Sequence, residues 1–370
     1  MTEGGTRFGA VILAAGFSSR MGDFKPLMDL GGMAVLERCV RMFRDAGVER
    51  VLVVTGHRAP EVRAEAGRLG VPTIYNEGYE KGMFSSVRTA VSAMSGHDAF
   101  FLLPVDIPLV RPSTVTALLD EYDGRIAFPV FEGERGHPPL IPAALIPAIL
   151  EHDGRGGLKT LLEGYRALDV PVWDRGILLD ADTMTDFALL ERRAARLHIG
   201  DRGEALALAA QSMPERGLAH GLAVAAVALR LGGELNRHGG NLDPDLIHNA
   251  ALLHDVAKGC PGHEAAGGEL LARFGLSGLS SIVAAHRDVP PPASGVLTEK
   301  EVVCLADKLV RCDRRVAVRD RFGEKLALYR CDEEACAAIR GRMDNALALV
   351  ALVEAACGRG IEEILVGEAA

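Results

Sequence analysis

An α/β domain built on a mostly parallel sheet, followed by an all-α domain, is the fold this sequence predicts. Three observations carry that reading. Apolar strand-like runs alternate with helical patterns from residue 8 to about 190; the rhythm breaks in the charged stretch ERRAARLHIGDRGEA; and everything beyond is Ala- and Leu-rich with helical spacing. A chain of 370 residues also exceeds the usual size of one domain. The first domain is placed at 1–195 and the second at 206–370.

The strand-like runs of the first half are AVILAA, RVLVVTG, PTIYN and AFFLLPVD, with AVLERCVRMFRDAG and SSVRTAVSAM among the helices between them. Ligands of a parallel sheet gather beyond the carboxyl ends of its strands, which is where the loop after Ala14 falls. In the second half, DPDLIHNAALLHDVAKG opens as a helix at Asp243, with Pro244 in the first turn, and is expected to stop at Gly259. DVPPPASGVLTEKE reads as a loop, then a helix opened by a capping box of Thr298 and Glu301.

Composition narrows the partners. With 48% hydrophobic and 25% charged residues the chain is globular with ample core, and a net charge of -9 argues against non-specific nucleic-acid binding. Small molecules are expected instead. No apolar stretch is seen to approach the roughly 18–20 residues of a membrane span, and MTEGGTRFGA lacks the features of a secretory signal, so a cytoplasmic protein with no membrane contact is expected. The cysteines show no CxxC spacing, so neither a zinc ribbon nor a disulfide framework is indicated; Cys331 and Cys336 in CDEEAC are read as ordinary helix positions in preference to a redox or metal pair.

Two constellations carry chemistry. In VILAAGFSSRMGDFKPL, residues 11–27, an apolar run gives way to small residues whose backbone N–H groups can approach an anion, with Arg20 and Lys25 adding charge. FFLLPVDIPLV ends a second apolar run in Asp106, and ILLDADTMTD ends a third in Asp180 and Asp182, two residues apart on one face of an extended chain. Three such carboxylates beside a basic glycine loop suit a metal–nucleotide complex. Taken singly, Asp106 reads as a turn cap beside Pro108 and Asp182 as the N-cap of the next helix; together with the loop, metal binding is preferred.

Here the sequence resembles the molybdenum cofactor nucleotidyltransferases: VILAAGFSSRMGDFKPL, NEGYEKGMFSSVRTAV, LLPVDIPLV, GERGHPPLI, GRGGLKTLL and GILLDADTMTDFALL occur in that family's order over about 190 residues. The resemblance implies a Rossmann-like domain that joins the α-phosphate of a nucleoside triphosphate to the terminal phosphate of molybdopterin cofactor and releases pyrophosphate. It implies that Ala14, Ala15, Gly16, Ser18, Ser19, Arg20 and Gly22 cradle the triphosphate and that Arg20 and Lys25 neutralise it. Asp106 and Asp182 would hold magnesium, with Asp180 a substitute for the latter. Asn76, Ser85 and Ser86 fit a rim that reads base or pterin, the competing reading being a serine-capped helix; His137 is a further matching position. The LAAG at 13–16 looks like the cytidylyl rather than the guanylyl form, which points to CTP and to a dinucleotide cofactor for a molybdenum hydroxylase apoenzyme.

The second constellation centres on AALLHDVAKG, where His254 and Asp255 are consecutive in an apolar run. Neighbours on a helix diverge, so a mutual pair is not expected, yet both can reach one ion. His220, His263, His286 and Asp307 are candidate companions, a set that suits Fe, Mn, Zn or Ni and leaves positions for water. The order His220, His254–Asp255, Lys258, Asp307 resembles the HD-domain phosphohydrolases, and with His263 and His286 it looks most like members with two metals that hydrolyse dinucleoside polyphosphates. That likeness implies a hydrolytic site in which Asp255 and Lys258 take part. It covers about residues 212–315; the last 50 residues read only as helical extension. Two rivals stand beside these readings: a nucleotidyltransferase whose acceptor is a sugar or alcohol phosphate, and an HD domain that senses a nucleotide or metal instead of hydrolysing one.

Overall fold

The computed structural model describes residues 6–17 and 23–366, so Ser18, Ser19, Arg20 and Gly22 lie outside the described residues. The chain divides into two compact units, 1–195 and 196–370.

In the first unit the sheet comprises β1 (Phe8–Ala14), β2 (Val51–Thr55), β3 (Thr73–Tyr75), β4 (Ala99–Pro104), β5 (Ile126–Phe131), β6 (Glu134–Arg135), β7 (Leu140–Pro142) and β8 (Ala167–Pro171). Around it lie α1 (Val35–Asp45), α2 (Ala59–Arg68), α3 (Met83–Val91), α4 (Pro112–Asp120), α5 (Ile146–Glu151), α6 (Gly157–Glu163) and α7 (Met184–Ala194). The order is β3-β2-β1-β4-β7-β5-β6, with β8 beside β5. β3, β2, β1 and β4 are parallel, and β7 runs against both β4 and β5. Because β1 has β2 on one edge and β4 on the other, the chain leaves it at the switch point where open sheets hold ligands.

Both faces of the parallel block are covered. Val11, Leu13, Phe100 and Leu102 pack against Val87 and Ala90 of α3 and Ile149 of α5, while Phe101 on the other face meets Phe43 of α1 with ring centroids 5.6 Å apart. Two-sided burial is why these strands read as unbroken apolar runs. Each fully buried Phe contributes on the order of 1.5–3 kcal/mol.

One expected run departs from this pattern. Arg175–Leu178 is a 3-10 turn and not a strand, so Asp180 and Asp182 stand in the connection to α7 instead of at a strand end. Asp174 makes the turn: its buried carboxylate accepts the N–H groups of Arg111 and Gly176, at 2.6 and 2.8 Å, and the Thr114 hydroxyl at 2.8 Å.

The second unit comprises α8 (Arg202–Ser212), α9 (Glu215–Arg237), α10 (Pro244–Leu253), α11 (His263–Arg273), α12 (Ser277–Ala285), α13 (Glu299–Lys308), α14 (Val318–Leu328), α15 (Glu333–Cys357) and α16 (Ile361–Val366). A hairpin of two-residue strands, β9 (Val310–Arg311) and β10 (Arg314–Arg315), follows α13 and is the exception to its helical character. Residue 206 falls inside α8, which opens with a capping box of Asp201 and Glu204. The capping box of Thr298 and Glu301 opens α13 as expected.

α10 starts at the expected cap, Asp243, whose Oδ1 accepts the N–H groups of Asp245 and Leu246. It ends at Leu253, well before Gly259, so His254 and Asp255 stand in the turn beyond it. α9 overturns the expectation about apolar stretches, since its 23 residues are long and apolar enough to cross a membrane. Half of that apolar window is buried, and α9 packs against α10 and α13 as the central helix of this unit. Contact is close at Gly221, where a Cβ would stand 2.4 Å from the Leu252 carbonyl oxygen.

Candidate functional site

At the carboxyl end of β1 and β4, a buried lysine meets two carboxylates. Lys25 opens a 3-10 turn, and its Nζ lies 3.2 Å from Asp182 Oδ1 and 3.5 Å from Asp106 Oδ2. The Asp106 carbonyl accepts the Ala181 N–H at 2.9 Å, which pins the 180–182 segment beside β4. Asp182 does not cap α7: Thr183 does, in a capping box with Asp186, and Asp182 turns to Lys25. Asp180 completes the group. Partial burial, followed by Asp182 and Asp106, pushes its carboxyl above the usual aspartate range against the pull of Lys25. Among the described residues the carboxylates here outnumber the cations, which fits a divalent cation held with the lysine.

A cleft of about 750 Å³ opens beside these residues, lined by Leu13 and Pro104 at the strand ends, Phe84 and Val87 of α3, and Arg135 and His137 of the 132–139 loop. His137 is pushed below the usual histidine range by burial, against the field of Asp106. Its Nδ1 is buried with no hydrogen-bond partner among the described residues. Asn76, Ser85 and Ser86 do come together, but on one another. Asn76 Nδ2 donates to Ser85 Oγ at 2.8 Å and to Ser86 Oγ at 3.0 Å, and its Oδ1 accepts the Gly78 N–H at 2.9 Å. They lock the loop before α3, whose N-cap is Gly82 and not a serine.

In the second unit six residues converge, three from helices α9, α11 and α13 and three from the turns that follow α10 and α12. His220 of α9 and Asp307 of α13 approach at 3.3 Å; His254 Nε2 lies 3.5 Å from Asp255 Oδ2 and 3.8 Å from Asp307 Oδ1. On the other side of Asp255, Oδ1 lies 3.5 Å from His263 Nε2 and 3.7 Å from His286 Nε2. Two donor groups result, His220–His254–Asp255 and Asp255–His263–His286, and each can hold one metal ion.

Chemistry supports that assignment. Nδ1 of His220, His254 and His286 lies 2.7, 2.7 and 2.6 Å from the carbonyls of Cys312, Ala251 and Val283. A carbonyl only accepts, so each Nδ1 carries the proton, and in a neutral ring Nε2 presents its lone pair to the carboxylates. Burial, with His254 alongside, lowers His286 to about 4, which keeps it neutral at neutral pH. Lone pairs facing carboxylate oxygens repel unless a cation lies between them, and a backbone acceptor behind each ring is the usual support of a ligating histidine.

Residues 10–170 match the family of MobA-like NTP transferase domains, and residues 217–312 match the HD domain. The chain joins a MobA-like NTP transferase domain to an HD domain. It is an enzyme of nucleotidyl transfer. The chain is 26% identical over 184 residues to a molybdenum cofactor cytidylyltransferase of Escherichia coli (strain K12), a match covering 50% of this chain and 95% of that protein. It is 36% identical over 124 residues to a bifunctional IPC transferase and DIPP synthase of Rubrobacter xylanophilus, covering 32% of this chain and 28% of that one. Other curated relatives, such as a bifunctional protein GlmU of Alkalilimnicola ehrlichii at 36% identity, are likewise spanned over about a quarter of their length. Among solved structures, a nucleotidyl transferase from Methanothermobacter thermautotroptrophicus is 27% identical with a TM-score of 0.47, over 52% of this chain and 99% of that one.

Within the transferase domain, Ala14, Ala15 and Gly16 stand at the end of β1, directly before the part of the loop outside the described residues. The HD domain brings its sequence-predicted residues together, and Lys258 hydrogen-bonds Asp255 from a largely exposed position. Burial would raise the Asp307 carboxyl, but Lys308 foremost, with His220 and Arg321, holds it well below the usual range. Sequence reasoning missed Lys308 and Arg321, both hydrogen-bonded to Asp307, and buried Glu264, whose Oε2 is 3.5 Å from His263 Nδ1. Lys308 adjoins a predicted ligand, which was a usable signal; Arg321 carried none. Cys331 and Cys336 are unpaired, the first exposed and the second buried on α15.

Proposed function

We propose that the transferase domain moves CMP from CTP to molybdopterin cofactor. The observation that carries this is Lys25 held between Asp106 and Asp182 at the end of the parallel strands. The molybdenum cofactor cytidylyltransferase matched over 95% of its length supports the acceptor, and LAAG at 13–16 supports CTP.

In the reaction a terminal phosphate oxygen of the acceptor bonds to the α-phosphorus of CTP while the bond to the bridging oxygen breaks, and pyrophosphate leaves with that electron pair. The nucleophile is already an anion, so no general base is needed; the chain's task is alignment and charge neutralisation. Ala14, Ala15 and Gly16, with Ser18, Ser19, Arg20 and Gly22, cradle the triphosphate. Arg20 and Lys25 offset the growing charge on pyrophosphate. Asp106 and Asp182 would hold magnesium, which would supply positive charge to offset that of the phosphates. Asn76, Ser85 and Ser86 shape the rim through the loop they lock. The product serves a molybdenum hydroxylase apoenzyme in the cytoplasm.

The HD domain is proposed as a metal-dependent phosphohydrolase, with His220, His254, Asp255, His263, His286 and Asp307 as ligands of Fe, Mn, Zn or Ni. Such ions supply a Lewis acid and make water more acidic. Asp255 lies between the two donor groups, and Lys258 faces the cleft where a phosphate would meet it. The two activities are assigned to residues 1–195 and 206–370.

The test is the initial rate of pyrophosphate release with magnesium and each nucleoside triphosphate in turn, with and without molybdopterin cofactor. Release that requires the cofactor and prefers CTP is expected. Preference for GTP overturns the reading of LAAG. The 36% identity to a transferase of another name, the bifunctional IPC transferase and DIPP synthase, keeps a different acceptor open; release with sugar or alcohol phosphates alone would establish that second reading.

A further inference from the structure

The HD residues line a cleft of about 650 Å³ whose far wall is made by α14 and α15, beyond the stretch 217–312 that matches the HD family. Six cations line it: Lys258, Arg287, Lys308, Arg321, Lys325 and Arg342. Four are paired, Lys258 with Asp255, Arg287 with Glu264, and Lys308 and Arg321 with Asp307. Lys325 and Arg342 form no ion pair among the described residues, and both belong to the α14–α15 wall. Phe322 and Ile339 beside them are buried, and Lys325 Nζ stands 5.9 Å from the Phe322 ring centroid. Unpaired cations on a partly apolar concave wall attract anions more strongly than they would in open water.

We propose that Lys325 and Arg342 are specificity-determining residues which hold the second of two linked phosphates, so that the HD site hydrolyses phosphoanhydrides, including the pyrophosphate released by the transferase domain. This rests on the reading of the HD site as a phosphohydrolase. When a monoester is cleaved, charge grows only on the departing oxygen, and there is no second phosphate for a more distant cation to hold. When an anhydride is cleaved, the oxygen of water bonds to one phosphorus, the bridging oxygen departs with its electron pair on the other phosphate, and the proton of water passes to the phosphates or to solvent. Nothing is oxidised or reduced. The growing charge on the departing phosphate is what Lys325 and Arg342 would stabilise in the transition state. Consuming pyrophosphate would also draw the transfer reaction forward.

The experiment uses the full chain with Mn²⁺. Orthophosphate release from pyrophosphate and the hydrolysis of p-nitrophenyl phosphate are measured for wild type, Lys325→Met/Arg342→Met and Arg342→Lys, with thermal unfolding as the check on folding. Expected is a loss of at least tenfold in kcat/KM for pyrophosphate in the double variant, with the monoester within twofold of wild type and partial recovery in Arg342→Lys. Titration with methylenediphosphonate, whose bridge cannot be hydrolysed, should show binding at least tenfold weaker in the double variant. Equal losses on both substrates, or an unchanged titration, overturn the proposal. A wild type that cleaves the monoester but not pyrophosphate sinks it while leaving the hydrolase reading intact; no hydrolysis of either substrate sinks the hydrolase reading and this proposal with it.

Discussion

Asp255 is the carboxylate on which both donor groups of the HD domain depend. Its Oδ2 faces His254 at 3.5 Å, and its Oδ1 faces His263 and His286 at 3.5 and 3.7 Å. An ion about 2.0–2.2 Å from each ligand keeps its donors on the order of 3–4 Å apart, the spacing seen on both sides of this carboxylate. Asp255→Asn preserves shape but offers one neutral carbonyl and one N–H₂ group, which donates and cannot ligate. We expect that variant to retain two fewer Mn²⁺ ions per chain than wild type after gel filtration, measured by elemental mass spectrometry. His263→Ala, which belongs to one group only, should retain one fewer. Stability follows the same count. An ion present at about 100 times its dissociation constant contributes about 2.7 kcal/mol, and a domain of this size shifts by about 2–4 °C per kcal/mol. Mn²⁺ should therefore raise the HD transition of wild type by ~10 °C or more in calorimetry, that of His263→Ala by about half as much, and that of Asp255→Asn not at all. An Asp255→Asn protein that keeps one ion would refute the shared-carboxylate geometry.

Three further substitutions probe separate links in the argument. Lys25→Met removes the ammonium that meets Asp106 and Asp182 and should lower the nucleotidyl-transfer rate by about 10²–10³ while HD-site metal content stays at the wild-type level; unchanged transfer would sever Lys25 from the chemistry. Gly221→Ala drives a Cβ toward the Leu252 carbonyl, so α9 and α10 must part, at a cost of about 1–3 kcal/mol in denaturant unfolding and with weaker metal retention, because His220 and His254 flank that contact. Arg196 makes a two-pronged pair with Asp243, at 2.8 and 2.9 Å, and holds its carboxyl below the usual aspartate range. Its folded pKa is thus below the unfolded one, so the stabilisation is full above the unfolded value and is lost as pH falls through the folded value. Arg196→Ala should cost about 0.5–1 kcal/mol at neutral pH for this half-exposed pair, with a shrinking difference from wild type once pH drops below about 3.9; a gap that persists in acid would place the effect elsewhere.

The parallel strands were legible because each is buried on both sides, so Val11 to Ala14 and Phe100 to Leu103 leave an uninterrupted apolar record. The same reasoning misread Ile177 to Leu179. An apolar run of that length states burial without stating backbone geometry, and here the Asp174 carboxylate bends the chain by accepting the Gly176 N–H. Asp106 was legible as a strand end. Its partnership with Asp182 was expected from the family resemblance, while the contact that makes it, Ala181 donating to the Asp106 carbonyl across 75 positions of chain, left no local pattern. The far wall of the HD cleft left no trace either. Arg321, Lys325 and Arg342 have the spacing of solvated helix positions, and only the packing of α14 and α15 turns them toward Asp307 and the space beside it.

The histidines themselves follow a rule that the sequence does carry. A helix leaves its last carbonyls without N–H partners. α10 ends in Ala251-Leu252-Leu253 and α12 in Val283-Ala284-Ala285, and in each case the next residue is a histidine, His254 and His286, standing at the C-cap. From that position each ring donates Nδ1–H to the carbonyl three residues back, Ala251 or Val283, and that bond fixes the tautomer. Nε2 is then aimed away from the helix with its lone pair free for an ion. Had α10 continued to Gly259, the His254 and Asp255 side chains would have left the helix about 100° apart. The adjacency of His and Asp, puzzling inside a helix, is what a turn beyond the last helical residue requires: the histidine closes the helix while the aspartate, one residue further on, reaches between the two groups of donors.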